Sequence, residues 1–394
     1  MGVIQDAFEA LFRRPLPVWS AALLLATLNI LLFAYEKPWT ASDGLRNWGD
    51  WFLQGVGAQS PTEILPPWLY SGSVLNLGLL LGAFASALFS REFAVRMAPL
   101  AELTKGLLGG VLMGVGAILA IGCNVGGFYS ALSALSLSGL MMMVGLAWGA
   151  YLGARYLLWE NRRLSRNGAA SAQEFSEPPA SGSRWQPWLG GLCLALTAAV
   201  VTVYVRGGFG QRGGLVLFGV LFGMILQRSR FCLVRAFREP FLSGESEMTR
   251  AAALSAGVSV IGFAVLKSSD LRSLEAFVFP AFWQGSLLGG TVFGVGMVLA
   301  GGCGVGSLWR AAEGHVKLWV GLLAFAMTTS LFRGFLEREG WLSHLGQAVF
   351  LPDWTGWPLA LGLILTVLAG WYLFAAWNEK SRRLASSRVE NACQ

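Results

Sequence analysis

Charge is what this sequence has least of. Only 13% of its 394 residues are Asp, Glu, Lys or Arg. A soluble domain carries about a quarter, so most of this chain's surface must face lipid. Histidine is nearly absent, with only His315 and His344. The five cysteines, at 123, 193, 232, 303 and 393, form no Cys-x-x-Cys pair. That spacing excludes a zinc site and a disulfide framework. Gly207–Gly214 is glycine-rich, but no Gly-Lys-Ser/Thr follows it, so it is a turn rather than a phosphate loop. No metal and no cofactor is expected, and the chemistry of an enzyme is not evident. No Asp or Glu falls inside any of the spans predicted below, which argues against a carboxylate proton relay or a cation channel. The net charge of +7 sits in loops and reads as a topology signal, not as nucleic-acid binding.

Apolar runs and a repeat are what the chain has instead. Leu107–Gly126 ends in Gly122-Cys123-Asn124-Val-Gly, and Leu287–Gly306 ends in Gly302-Cys303-Gly-Val-Gly. The two stretches are 180 residues apart, and 13 of their 20 paired positions are identical. Internal repetition in a membrane chain points to transporter-like architecture. The fold expected is all-α and integral to the membrane, with about ten spans, an inverted internal repeat and helices broken at the Gly-Cys motifs.

The spans are expected near Trp19–Tyr35, Ser71–Ser90, Gly106–Gly122, Leu140–Trp159, Trp188–Val205, Leu215–Val234, Ala251–Lys267, Trp283–Gly302, Leu318–Phe332 and Trp357–Trp377. The first is read as uncleaved, because no small-residue cleavage site follows it. Trp48–Gly57 is expected to lie flat in the interface. Residues 1–160 form a first membrane half, 161–186 a polar linker, 187–379 a second half and 380–394 a tail. With the N-terminus inside, 21 of the 29 Lys and Arg fall on the inner side. The positive-inside rule then places both termini in the cytoplasm of a bacterial cell, with the chain in the inner membrane. The first Gly-Cys helix runs outward and the second inward, so the copies are antiparallel.

Gly next to Cys at a helix end frees backbone N–H groups. Inside a membrane, irregular backbone survives only against protein or a water-filled cavity. Cys123 and Cys303, with Gly122, Gly302 and Asn124, are therefore the first candidates for lining a substrate path. A thiol is a weak donor with a polarisable sulfur, better suited to a sulfur- or selenium-bearing anion than to a hard ion. Cys232, between Arg230 and Arg235, is the candidate exit station. Ser130, Ser133 and Ser136 recur every third residue, either as a polar wall or as close helix packing. Cys193 reads as a small buried hydrophobe, and Cys393 as incidental.

At Ala120-Ile-Gly-Cys123-Asn, Arg230-Phe-Cys232-Leu-Val-Arg-Ala-Phe-Arg238 and Ala300-Gly-Gly-Cys303-Gly-Val-Gly, the chain resembles the YeeE/YedE family. The length and the Trp309-Arg-Ala-Ala-Glu-Gly run resemble its YedE-type, selenium-associated branch. The resemblance implies import of a small inorganic sulfur anion, thiosulfate first, held in turn by three cysteine thiols. A selenite-like substrate, or persulfide transfer to a cytoplasmic TusA-like sulfur carrier, are the alternatives it carries. One departure stands out. Where the second half has Ser229-Arg230-Phe-Cys232, the first has Arg91-Glu92-Phe-Ala94, and a thiol is missing there.

Overall fold

The structure is a computed structural model that describes residues 14–57, 64–166 and 185–381. Most of the expected linker, nearly all of the tail, Arg13 and Cys393 lie outside the described residues. Among those described, ten segments are helical, long and apolar enough to cross a membrane. All ten coincide with the spans expected from the sequence.

The elements that carry the argument are these. Helix α1 is Val18–Tyr35, α2 Ser42–Gly55, α3 Ser71–Phe89, α4 Leu100–Leu119, α5 Ala131–Ser133 and α6 Leu137–Arg166. Then come α7 Gln186–Arg206, α8 Gly210–Ser229, α9 Leu233–Leu242, α10 Glu247–Ser268, α11 Gln284–Ala300 and α12 Gly304–Ala312. Last are α13 Val316–Arg338, α14 Leu351–Thr355 and α15 Trp357–Ser381. A π-helical turn, Asn124–Ser130, joins Cys123 to α5.

Two glycine-lined helices cross at the centre, α4 against α11. A Cβ added at Gly109 would stand 2.6 Å from the Gly296 carbonyl oxygen, and one at Gly116 would stand 2.6 Å from that of Gly289. The early glycine of each helix thus meets the late glycine of the other, so the two run in opposite directions. Backbones this close leave no room for side chains, and the small residues are what bring the helices together. The flanking pairs run parallel. Gly78 and Gly82 of α3 face Val216 and Val220 of α8, and Gly145 and Gly149 of α6 face Leu287 and Thr291 of α11.

Helix α2 packs one face into the bundle. A Cβ added at Gly44 would run into the Gly72 carbonyl of α3, and one added at Gly49 into the Ala326 carbonyl of α13. Two glycines let this short amphipathic helix sink between two spans. The expected spans themselves hold no carboxylate, but the helices extend beyond them, and their ends carry Glu102, Glu160 and Glu239. Glu102 pairs with Lys105 at 2.7 Å and Lys317 at 2.6 Å, and Lys105 also reaches Glu160 at 2.6 Å. Charge at these helix ends is neutralised in place, which is why the segments remain apolar on average.

Candidate functional site

Both Gly-Cys motifs make the same local turn. The helix stops, the second residue before each cysteine is left-handed (Ile121 at φ 55°, Gly301 at φ 78°), and the cysteine itself is extended. The Cys123 carbonyl then accepts from the Gly127 N–H at 2.6 Å, and the Cys303 carbonyl from the Ser307 N–H at 2.7 Å. Gly301 adopts its conformation freely, whereas Ile121 holds a geometry that costs a side-chain-bearing residue about 1–2 kcal/mol. Gly122 and Gly302 are needed for closeness. A Cβ on Gly122 would stand 2.6 Å from the Gly127 nitrogen, and one on Gly302 would stand 2.7 Å from Ser307 Oγ.

The three candidate thiols are buried, with Cys123 at 0% exposure and Cys232 and Cys303 at 2%. The thiols of Cys232 and Cys303 converge on Gly306, where an added Cβ would stand 3.5 Å from Cys232 Sγ and 3.3 Å from Cys303 Sγ. Cys303 Sγ also accepts from the Gly306 N–H at 3.3 Å, in the first turn of α12. Asn124 joins this pair to the other motif. Its side-chain amide is wholly buried, lies against the Cys303 thiol, and has no nitrogen or oxygen partner. A buried amide of this kind normally finds partners, so Asn124 is poised for a group that arrives from elsewhere. Arg310, Arg235 and Arg238 lie close enough to act electrostatically on Cys232.

A segment that the sequence did not single out closes one side. Trp39 is 3% exposed, stacks on Phe222 at 4.4 Å and meets Tyr129 edge-on at 6.3 Å. The Ser130 hydroxyl donates to the Trp39 carbonyl at 2.6 Å. Thr40 packs on Gly126, and Ser42 Oγ accepts the Cys123 N–H at 3.1 Å. Ser133 spends its hydroxyl on the Tyr129 carbonyl at 2.7 Å, one helical turn back. Of the three serines, Ser130 therefore anchors the Trp39 segment, Ser133 closes a helical turn and Ser136 shares a hydrogen bond with Ser138 at 2.7 Å. We expect Ser42→Ala to lower stability by about 1–2 kcal/mol, because a buried N–H loses its acceptor. Thermal unfolding in detergent micelles measures it, and no change would mean that the Cys123 N–H has a substitute partner.

The other side is closed by charge. Arg230, left-handed at φ 56° at the end of α8, donates to Glu313 at 3.1 Å and to Glu92 at 3.1 Å. Gln227 donates to the same two carboxylates, at 3.0 and 2.6 Å. The Arg230 and Arg310 guanidiniums both lie over the Trp309 ring. His315 stands beside Glu313, and burial together with Arg96, Arg310 and Arg230 pulls its pKa down to about 4. Glu92 and Glu313 escaped the sequence reading. A signal for Glu92 was present, since it occupies the first-half position that matches Arg230, and opposite charges at matched positions can pair. Lys267, the last residue of the seventh expected span, is fully buried and donates to the Ala134 and Leu274 carbonyls. Cys193 packs with Ala85 and Phe89, away from the other thiols.

Ten apolar spans around a buried, polar, thiol-bearing centre define a multi-pass membrane protein of transporter type. The chain belongs to the sulphur transport family, whose model matches residues 4–152 and 228–393. It is 30% identical over 331 residues to the probable transporter YedE of Escherichia coli, covering 79% of each chain. The thiosulfate transporter TsuA of Escherichia coli is 36% identical over 118 residues, 30% of this chain and 33% of its own length. The protein of the same name from Spirochaeta thermophila is 36% identical over 137 residues, covering 34% of this chain and 39% of its own.

Proposed function

We propose that this protein imports a small sulfur-containing anion, thiosulfate first, past Cys123 and then the Cys303–Cys232 pair, leaving at Arg230. The observation that carries this reading is the convergence of the Cys303 and Cys232 thiols on Gly306, beside the unpartnered Asn124 amide. The thiols present soft, weakly donating groups to the terminal sulfur, and Asn124 with the first turn of α12 presents N–H donors to oxygens. The antiparallel crossing of α4 and α11 supports an inverted-repeat design with its binding point at the crossing. The loop charges support an inner-membrane placement with Arg230 at the cytoplasmic end. The thiosulfate transporters among the relatives favour thiosulfate over a selenite-like anion.

Purified protein in liposomes, given radiolabelled thiosulfate and selenite in parallel, tests the substrate. Thiosulfate uptake with no added protein is the expected result. Uptake only when a TusA-like carrier is supplied would favour the persulfide-transfer reading. Cys303→Ala and Cys232→Ala should each lower uptake about tenfold or more, because a hydrogen bond to an anion contributes about 1.5–3 kcal/mol. Cys193→Ala should transport at the normal rate. Equal rates for all three variants would remove the thiols from the path.

A further inference from the structure

The cluster around Glu313 does more than close a door. Glu313 is 0% exposed and is reached from every side. From α8 come Gln227, Arg228 and Arg230; from the turn after α3 comes Glu92, and from the approach to α4 comes Arg96. Arg310 lies on its own helix side, and His315 starts α13. Two features stand out. Arg230 supplies the charged partner of Glu313 at 3.1 Å, and Arg230 is itself 43% exposed on its side chain. His315 Nε2 lies 3.8 Å from Glu313 Oε2 and 3.4 Å from Arg96 Nη1. Arginine only donates, so Nε2 is an acceptor there and the ring is neutral. At 3.8 Å the neutral ring makes no hydrogen bond to the Glu313 carboxylate and gives it no counter-charge.

We propose that Glu313 is a proton-binding site coupled to the exit of the anion. The anion takes the Arg230 guanidinium, and Glu313, left without its ion-pair partner, binds one proton on Oε2. This rests on the functional reading above. The step balances simply. One O–H bond forms on Glu313, the proton comes from solution at the open side of Arg230, and nothing is oxidised or reduced. When Arg230 returns, the proton leaves.

The physics follows from burial. A carboxylate with no exposed surface is costly to keep charged unless it is paired. Burial already raises the Glu313 carboxyl, and Arg230 opposes that rise. Taking Arg230 away leaves burial and the Glu92 charge pushing upward, against the Gln227 hydrogen bond and Arg310. Gln227 Nε2 still donates to Oε1 at 3.0 Å, so Oε2 is the oxygen free to carry the proton. Anion binding and proton binding then favour each other, by the same free energy in each direction.

The experiment adds thiosulfate to the purified protein in weakly buffered detergent solution with a pH-sensitive dye, and measures uptake in liposomes against pH. The wild type should alkalinise the solution by up to about one proton per bound anion. Its apparent affinity for thiosulfate should fall by up to about tenfold per pH unit towards alkaline pH. Glu313→Gln should abolish the alkalinisation and flatten the pH profile. His315→Gln, which keeps that neighbour uncharged, should leave the alkalinisation in place. Thiosulfate uptake with no alkalinisation overturns the coupling and leaves the substrate reading standing. Alkalinisation that survives in Glu313→Gln also overturns it. If Glu313→Gln does not fold, the wild-type dye signal and pH profile decide. No thiosulfate uptake at all removes both readings together.

Discussion

Gly116→Ala should lower the stability of the protein by about 3 kcal/mol, the upper part of the usual range for overpacking. The new methyl carbon would stand 2.5 Å from the Phe293 nitrogen and 2.6 Å from the Gly289 carbonyl oxygen. Both are backbone atoms and neither can rotate aside. The sign is the informative part. In a helix with open space around it, alanine is the better residue by up to about 1 kcal/mol. Gly191, on the exposed face of α7, has nothing within 4 Å of its missing methyl, so Gly191→Ala should be neutral or slightly stabilising. Unfolding temperatures of the two variants in the same detergent make the comparison. If Gly116→Ala unfolds at or above the temperature of Gly191→Ala, α4 and α11 do not touch through their backbones.

The second large effect is at Arg230. Arg230→Ala removes the cation from between Glu92 and Glu313 and leaves Glu313 buried beside a like charge. Breaking a fully buried pair costs about 3–5 kcal/mol. Arg230 and Glu92 are 43% and 36% exposed on their side chains, so water offsets part of that and about 2–3 kcal/mol is expected. Adding Glu313→Gln to Arg230→Ala should recover at least half of the loss, because the orphaned charge is then gone. A double-mutant cycle in detergent reads the coupling directly. Additive losses would mean that the ion pair is not the reason Arg230 matters for folding.

The comparison of α2 with α4 shows where sequence reading succeeds and where it stops. The Leu107–Gly122 stretch is apolar on all sides and of spanning length, so its place in the membrane follows from transfer energy alone. The same holds for the other nine spans. Cys123 and Cys303 are conspicuous because the motif occurs twice in one chain. By contrast, Ser42–Gly55 is short and amphipathic, a pattern that suits an interface and a groove equally well. Gly44 and Gly49 decide for the groove, and their role shows only once α3 and α13 are beside them. Trp39 and Glu313 are similar cases. A tryptophan near a span end reads as an interfacial anchor, and a glutamate after one reads as a loop residue.

By itself the sequence determined the apolar solvent of this protein, its ten segments of membrane-spanning length and the two cysteines at which helices stop. These follow from local terms, hydropathy and backbone freedom, which each segment carries wherever it is placed. Only the tertiary structure decided that Cys303 and Cys232 converge on Gly306, that Asn124 is left without a partner, that Trp39 covers one side and that Arg230 is held by Glu92 and Glu313. These are contacts between residues far apart in the chain, such as Arg230 with Glu92 or Trp39 with Phe222. Their energies depend on distance and burial, which no single segment possesses.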